Sequence, residues 1–412
     1  MAIKYLKSAN LKNKTVLMRV DVNVPLTDAG EVADDFRIRS ILPTIEYLQK
    51  QKCKIILSGH LGRPEGKWVK EYSLEPVAER LASLLDMPWR ATNSVVSGVA
   101  PHVILFTGDI TKDTSCQTIA DMSMSNILLL ENIRYYSEEE ENNAFFAKKL
   151  ACLADVYVNE AFAVDHRKAA STVAVTKYLP SYAGLLLEKE IKGLDRILER
   201  PKSPFVVMMG GAKISDKIKT LNNLGKKADT LLVGGGLANL FFASRGYEIG
   251  KSKAEHESVK LAWQIDKNFK GKLMLPVDVV VANAKLEKSS VRTCAPHEVK
   301  KNELILDAGP KTILAFAKVL KQAKTIVWNG PLGFFETKPF HHSTMALARI
   351  VGSVGKGRAY AVVGGGETVD AVRQAHQADY IDHLSTGGGA TLEYLAGSKL
   401  PGIEALEKHH TK

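Results

Sequence analysis

Continuous apolar, β-rich runs alternate with helical-looking segments along this chain, and that alternation restricts the fold more than any other feature. The runs are TVLMRV (15 to 20), KIILS (54 to 58), NILLL (126 to 130) and ADVYV (154 to 158) in the first half. The second half adds FVVMM, TLLV, LPVDVVVA (275 to 282), TIVW (325 to 328) and AYAVV. A strand that is apolar along its whole length is buried on both faces, as in a parallel sheet covered by helices. The pattern predicts an α/β fold of two doubly wound, Rossmann-like parallel-sheet domains. A length of 412 residues agrees, since it exceeds what one core usually organises.

The stretch YLPSYAGLLLEKEIKGLDRILERPKSP (178 to 204) divides the halves: Leu187, Ile191, Leu194 and Ile197 recur at helical spacing, and Pro201 ends the pattern. It predicts a hinge helix over 181–200, between an N-terminal domain (1–180) and a C-terminal domain (201–392). The acidic run EEEEN (138 to 142) is expected to face solvent.

Glycines punctuate the second half directly after the runs, in MMGGAK, LLVGGGLAN and VVGGGET, and again in STGGGAT. Turns of this kind at one edge of a parallel sheet can present free N–H groups to phosphates. None fits the P-loop or dinucleotide spacing. Lys213 and Lys217, after Gly210 and Gly211, are placed to reach a phosphate from a helix N-terminus. In the first half the turns carry side chains instead. Asp21 and Asn23 share one face at a strand end, and Arg37, His60, Arg63, Arg134, His166 and Arg167 follow successive strands. The planar guanidinium fork suits carboxylate and phosphate oxygens. Together they predict one basic pocket for a small, highly anionic molecule.

Composition narrows the classes further. With 45% hydrophobic and 25% charged residues this is an ordinary globular composition, and the opening residues hold no apolar stretch long enough for a signal or a span. A cytoplasmic location is expected, with no membrane partner. The net charge of +11 suits small anions as well as nucleic acid; aromatic residues are only 7% and no nucleic-acid signature is present, so no nucleic-acid partner is expected. The four cysteines, Cys53, Cys116, Cys152 and Cys294, lack the spacing of a zinc site or a disulfide frame and are expected to be buried thiols. The His409-His410 pair is too short to read as metal binding.

The ordered segments RVDVNVP, GHLGRP, LLLENIRYY, NEAFAVDHR, GGAKISDK, LLVGGGLAN, DAGPKT, IVWNGPLGFFE, VVGGGET and HLSTGGGATLEYLAGSKLPGI resemble the phosphoglycerate kinase family along essentially the whole chain. The resemblance implies reversible phosphoryl transfer between 1,3-bisphosphoglycerate and ADP, giving 3-phosphoglycerate and ATP, with Mg²⁺ carried on the nucleotide. It also implies a monomer, hinge closure, and a C-terminal segment (393–412) that returns to the N-terminal domain. Carried over by position, Asp21, Asn23, Arg37, His60, Leu61, Gly62, Arg63, Arg134, His166 and Arg167 would hold the acid. Gly211, Ala212, Lys213, Lys217, Gly236, Gly309, Glu336, Gly365, Gly366, Glu367 and Thr368 would hold the nucleotide. Arg37 and Lys213 would be catalytic, the Gly387 and Gly388 amides would donate to the transition state, and Glu367 and Asp216 would face the metal. The chain departs from the family pattern at Gly59, at Glu160 to Ala163, and at Glu367. A carboxylate acceptor is ionised at neutral pH and needs no general base, which matches the lack of an obvious base in these segments. Two rival readings are a non-catalytic anion- or nucleotide-binding protein of the same fold and a kinase for another small carboxylic acid.

Overall fold

A computed structural model describes residues 3–93, 101–121, 123–124, 126–211 and 215–408. The chain divides into one compact unit of Met1–Ile191 with Lys399–Lys412 and a second of Lys192–Ser398.

In the first unit the apolar runs become β1 (Thr15–Val20), β2 (Lys54–Ser58), β5 (Ile127–Leu130) and β6 (Val156–Glu160). Three further strands were not expected: β3 (Trp89–Thr92) and β7 (Ser181–Ala183), which are short and mixed in polarity, and β4 (Val103–Phe106), whose VILF run is as apolar as those that were read. The seven form one sheet in the order β3-β4-β5-β2-β1-β6-β7, parallel at every pairing. Alternate residues of β1 split between its faces. Val16, Met18 and Val20 join a core with Ile38, Ile41, Ile45 and Leu48 of the helix Phe36–Lys50, whose three-and-four spacing puts them on one stripe. Each such side chain contributes about 1.5–3 kcal/mol by leaving water. Arg19, between Met18 and Val20, lies on the other face and is only 2% exposed.

The second unit repeats the scheme. Strands β8 (Phe205–Met209), β9 (Thr230–Val233), β10 (Leu273–Met274), β14 (Thr325–Asn329), β15 (Tyr360–Gly364) and β16 (His383–Leu384) form a parallel sheet in the order β10-β9-β8-β14-β15-β16. The run at 275 to 282 does not join it. Its residues form β11 (Val279–Asn283), antiparallel to β12 (Arg292–Cys294) and β13 (Glu303–Ala308). The link from β11 to β12 holds only a short 3₁₀ turn, Lys288–Ser290, too little for the crossover that a parallel return needs.

Two further expectations are corrected. Cys116 and Cys152 form a disulfide, Cα to Cα 6.3 Å, across 36 residues of sequence that hid the pairing; only Cys53 and Cys294 are buried thiols. Within the acidic run, Glu139 is buried, because Ser171 N (2.9 Å) and Oγ (2.6 Å) donate to its carboxylate.

The helix Leu185–Glu199 follows β7 and buries Leu187, Ile191, Leu194 and Ile197. Its first turn is capped from a distance. Glu160, at the end of β6, accepts from Leu186 N at 2.9 Å and Leu187 N at 3.2 Å, and takes a third bond from the Thr44 hydroxyl. A helix N-terminus has orphan N–H donors, and a carboxylate satisfies them. Gly184 must be glycine for this, since a Cβ there would collide with the Glu160 carboxylate. Burial nevertheless dominates and pushes the Glu160 carboxyl from 4.5 up to about 7.

The folded protein therefore holds this proton more tightly than the unfolded chain. The group's contribution to stability is full below about 4.5 and is lost as the pH rises through about 7. Replacing Glu160 by Gln should remove a pH-dependent loss on the order of 2 kcal/mol between pH 5 and 8. Urea unfolding of both proteins at the two pH values checks this; parallel pH dependences would contradict it.

Candidate functional site

In an all-parallel sheet every strand ends on the same edge, and the first unit gathers its polar residues there. Asp21 follows β1, His60 follows β2, Arg134 sits in the turn after β5, and His166 and Arg167 come after β6. These four strands are neighbours in the sheet, and the chain leaves β1 toward β2 but leaves β6 toward β7. The crevice between β1 and β6 is thus a topological switch point.

Asp21 is the organiser of the β1 turn. Its Oδ2 pairs with Arg37 Nη1 at 2.5 Å, and its Oδ1 accepts from Asn23 N at 3.1 Å. Asn23 Oδ1 in turn accepts from Gly62 N at 2.9 Å, which ties the β1 turn to the turn after β2. Arg134 Nη1 donates to Gly62 O at 2.9 Å, and Asn132 Nδ2 donates to Leu61 O at 2.7 Å, so the β5 turn holds the same segment from the other side. Gly62 has a φ of 62°, and a Cβ there would strike the Tyr72 ring. Gly59, where the family pattern has serine, packs against Val22, whose methyl a Cβ would reach at 2.5 Å.

Charge confirms the clustering. Burial, then the positive charges of Arg19, Arg134, Arg37 and Arg167, hold the His60 imidazole well below its usual range. Burial and the neighbouring Arg19 guanidinium likewise bring Arg134 down to about 10. Four arginines therefore share one electrostatic environment with His60, and only two carboxylates, Glu139 and Glu140, act on Arg134 among its main influences. Arg167 Nε lies 3.2 Å from His166 Nε2, and Arg63 is exposed three residues after His60. The composition of this cluster suits a multiply charged anion. Arg19, Glu139 and Ser171 were not read from the sequence. The signal was a lone arginine inside an otherwise apolar strand.

The second unit presents a cleft of about 430 Å³, lined among others by Gly211, Gly236, Asn239, Lys253, Leu306, Phe334, Glu336 and Glu367. Of the expected nucleotide ligands, Gly211, Gly236, Glu336 and Glu367 line it. Ala212 and Lys213 lie outside the described residues, and so does the side chain of Asp216, which stands near the start of the helix Ser215–Gly225. Lys217 is buried, its Nζ placed where a Cβ on Gly211 or Gly330 would fall.

Several glycine turns serve backbone packing rather than open donation. Gly210 N donates to Asn329 O (3.0 Å), Gly211 N to Pro331 O (2.7 Å), Gly234 N to Met209 O (2.9 Å) and Gly235 N to Leu332 O (3.1 Å). Three turns from β8, β9 and β14 thus lie backbone to backbone, and these N–H groups are not free for phosphates. Gly309 answers to a different neighbour: the Asp278 carboxylate caps the helix Pro310–Leu320 through Lys311 N and Thr312 N, in the space a Cβ would need. Gly365 and Gly366 open the helix Gly366–Gln374, with Gly365 at φ 88°. Thr368 is buried in that helix, and its Oγ1 accepts from Gly330 N at 2.7 Å. Gly388 has a φ of 52° and open space around it, while Gly387 N donates to Ser385 Oγ at 3.2 Å.

The profile of the family described as phosphoglycerate kinase matches residues 6–398. The chain belongs to the phosphoglycerate kinase family. It is 46% identical over 409 residues to the phosphoglycerate kinase of Moorella thermoacetica, covering 98% of this chain and 99% of that one. The Pelotomaculum thermopropionicum phosphoglycerate kinase is 42% identical with the same coverage. Two solved phosphoglycerate kinase structures superpose on it: that from Coxiella burnetii, 39% identical, with a TM-score of 0.81 over 100% of both chains, and that from Pyrococcus horikoshii, 31% identical, with 0.84 over 98% of both. Membership makes the chain a phosphotransferase with a carboxyl acceptor, using ATP and ADP. The phosphoglycerate kinase reaction involves phosphates on both substrates, which fits cation and glycine turns in separate units. Among the described residues no helix is long and apolar enough to cross a membrane.

Because Thr368 Oγ1 is the partner of a buried backbone amide, Thr368→Val keeps the shape but strands Gly330 N–H. The expected loss is about 1–3 kcal/mol of unfolding free energy. Denaturant titration measures it, and an unchanged midpoint would show that Gly330 finds another acceptor.

Proposed function

We propose that the first unit binds 3-phosphoglycerate or 1,3-bisphosphoglycerate and the second binds Mg²⁺-ATP or Mg²⁺-ADP, with closure of the protein on both ligands. The arginine and histidine cluster at the carboxyl edge of β5, β2, β1 and β6 carries the first assignment. The cleft with Glu336 and Glu367 at its wall supports the second. Asp21, Asn23, His60, Arg63, Arg134, His166 and Arg167 orient the acid. Arg37, kept in place by Asp21, neutralises charge on the transferring phosphoryl group, and Lys213 does so from the nucleotide side. The acid's carboxylate attacks in the synthesis of the acyl phosphate; the bond to the γ-phosphorus forms as the bond to the ADP oxygen breaks. With an ionised nucleophile the protein's work is positioning and charge stabilisation. The Gly388 amide, the Gly387 amide once released from Ser385 Oγ, and the nucleotide-side residues Gly211, Ala212, Lys217, Gly236, Gly309, Gly365, Gly366 and Thr368 complete the reading. The chain works as a cytoplasmic monomer, without nucleic acid or membrane.

Mg²⁺ arrives with the nucleotide, and Glu367, one of two exposed carboxylates on the cleft wall with Glu336, fits a cation, directly or through a water. Asp216 is the second carboxylate assigned to it.

A coupled assay with 3-phosphoglycerate, ATP and Mg²⁺ tests the reading; turnover with acetate or glycerate in place of 3-phosphoglycerate would replace it. Arg37→Ala and Lys213→Ala should each lower kcat by about 10² or more, as expected for removing one electrostatic stabiliser of the transition state. Arg63→Ala should mainly raise KM for the acid. Normal kcat in both of the first two variants would end the assignment of these groups. For Glu367, the Asp variant should stay active and the Ala variant should need much more Mg²⁺ for half-maximal rate. An unaltered Mg²⁺ dependence in Glu367→Ala would remove it from the metal's surroundings.

A further inference from the structure

Among the described residues of the first unit Arg19 is the most deeply buried arginine, 2% exposed, and its hydrogen bonds run into the protein. It projects from β1 on the face opposite the Val16, Met18 and Val20 core. Its Nε donates to Ser171 Oγ at 2.8 Å, and its Nη1 donates to Val20 O. Its Nη2 lies 3.3 Å from His60 Nδ1. Ser171 passes the contact on, because its hydroxyl donates to Glu139 Oε1 at 2.6 Å while accepting from Arg19. Ser171 N donates to the other Glu139 oxygen at 2.9 Å, and Tyr157 donates to Ser171 O at 2.7 Å, so the serine has one available orientation.

The chemistry at His60 follows from what a guanidinium can do. It has five N–H donors, no acceptor, and it does not deprotonate in proteins. A ring nitrogen facing it must offer a lone pair. A neutral imidazole has one lone pair and one N–H, so a lone pair at Nδ1 places the proton on Nε2. The doubly protonated ring is excluded by the same contact, and the surrounding charges of Arg134, Arg37 and Arg167 act in that direction too.

We propose that Arg19 is a positioning residue that holds His60 in the neutral tautomer protonated at Nε2, so that the ring always offers one N–H donor on the side away from β1. Glu139 is the distant end of the device: it is the buried carboxylate that balances Arg19 through Ser171. An acid ligand then meets a histidine that donates a hydrogen bond at neutral pH without adding a fifth full charge to four arginines. The value of this tautomer to catalysis rests on the reading of His60 as a ligand of the acid. The tautomer itself is measured without any ligand.

The test is a long-range ¹H–¹⁵N correlation of the histidine rings in the ¹⁵N-labelled full chain at pH 7, with His60 assigned by its loss in His60→Gln. The expected spectrum shows an unprotonated Nδ1 and a protonated Nε2. A ring protonated at Nδ1 overturns the proposal using the unaltered protein alone. In Arg19→Met/Glu139→Gln, which removes both buried charges together to spare the fold, His60 should sample both tautomers, and KM for 3-phosphoglycerate should rise about tenfold, the loss of one oriented hydrogen bond. Arg19→Lys, which keeps a donor-only cation, should retain the Nε2–H form. A single unchanged tautomer in the double variant overturns the role of Arg19. Adding 3-phosphoglycerate to the unaltered protein separates the two readings: an Nε2–H resonance that shifts places the ligand at His60, whereas one that stays still refutes the substrate reading and leaves Arg19's hold on the ring standing.

Discussion

The constraint on which everything else rests is the parallel hydrogen-bonded ladder. Parallel strands need a crossover between each pair, so every strand starts at one edge of its sheet and ends at the other. All turns that follow a strand therefore meet along one line. In the first unit that line collects Asp21, His60, Arg134 and Arg167; in the second it collects the glycine turns after β8, β9, β14 and β15. The positions of the functional groups are a property of the ladder before they are a property of any side chain.

The two units build their strand-end turns by opposite means. One concentrates side-chain charge and must keep it from repelling itself. It does so with Asp21 on Arg37, Glu140 on Arg134 at 3.4 Å, and Glu139 behind Ser171 and Arg19. A buried cation without such partners costs several kcal/mol. The other unit strips side chains away and brings backbones together, so its limits are steric. Gly235, at φ 56°, shows this: a Cβ would lie 2.7 Å from Pro331 O and 2.8 Å from Gly211 N.

Much of this was legible in the sequence because burial on both faces leaves an unbroken apolar run. β1 and β2 have the bounds that TVLMRV and KIILS predict. Where the run is short or half-exposed, as in Trp89–Thr92, the strand is visible only once its neighbour is present. The same limit applies at the sites. Arg37, His60 and Arg134 announce themselves by type and by following a strand, but whether Gly211 N–H is free depends on Pro331, 120 residues away in sequence. Glu139 looked like one of four equivalent solvated acids; only the partner Ser171 distinguishes it. Cys116 and Cys152 were unreadable for the same reason, as contact between distant residues has no local pattern.

That last pair ties the covalent state of the first unit to the redox poise around it. Exposed disulfides are reduced by a glutathione-rich cytosol and persist in oxidising surroundings. Cys152 is exposed, and Cys116 is partly so, whereas Cys53 and Cys294 are buried, with burial raising the Cys53 thiol to about 11 and the Cys294 thiol in the same direction. The thiols that a water-soluble reagent meets first are thus those whose state the compartment decides. Counting rapidly alkylated cysteines in folded protein taken straight from a cell, zero or two, reads out whether its surroundings keep this pair oxidised or reduced, without unfolding it.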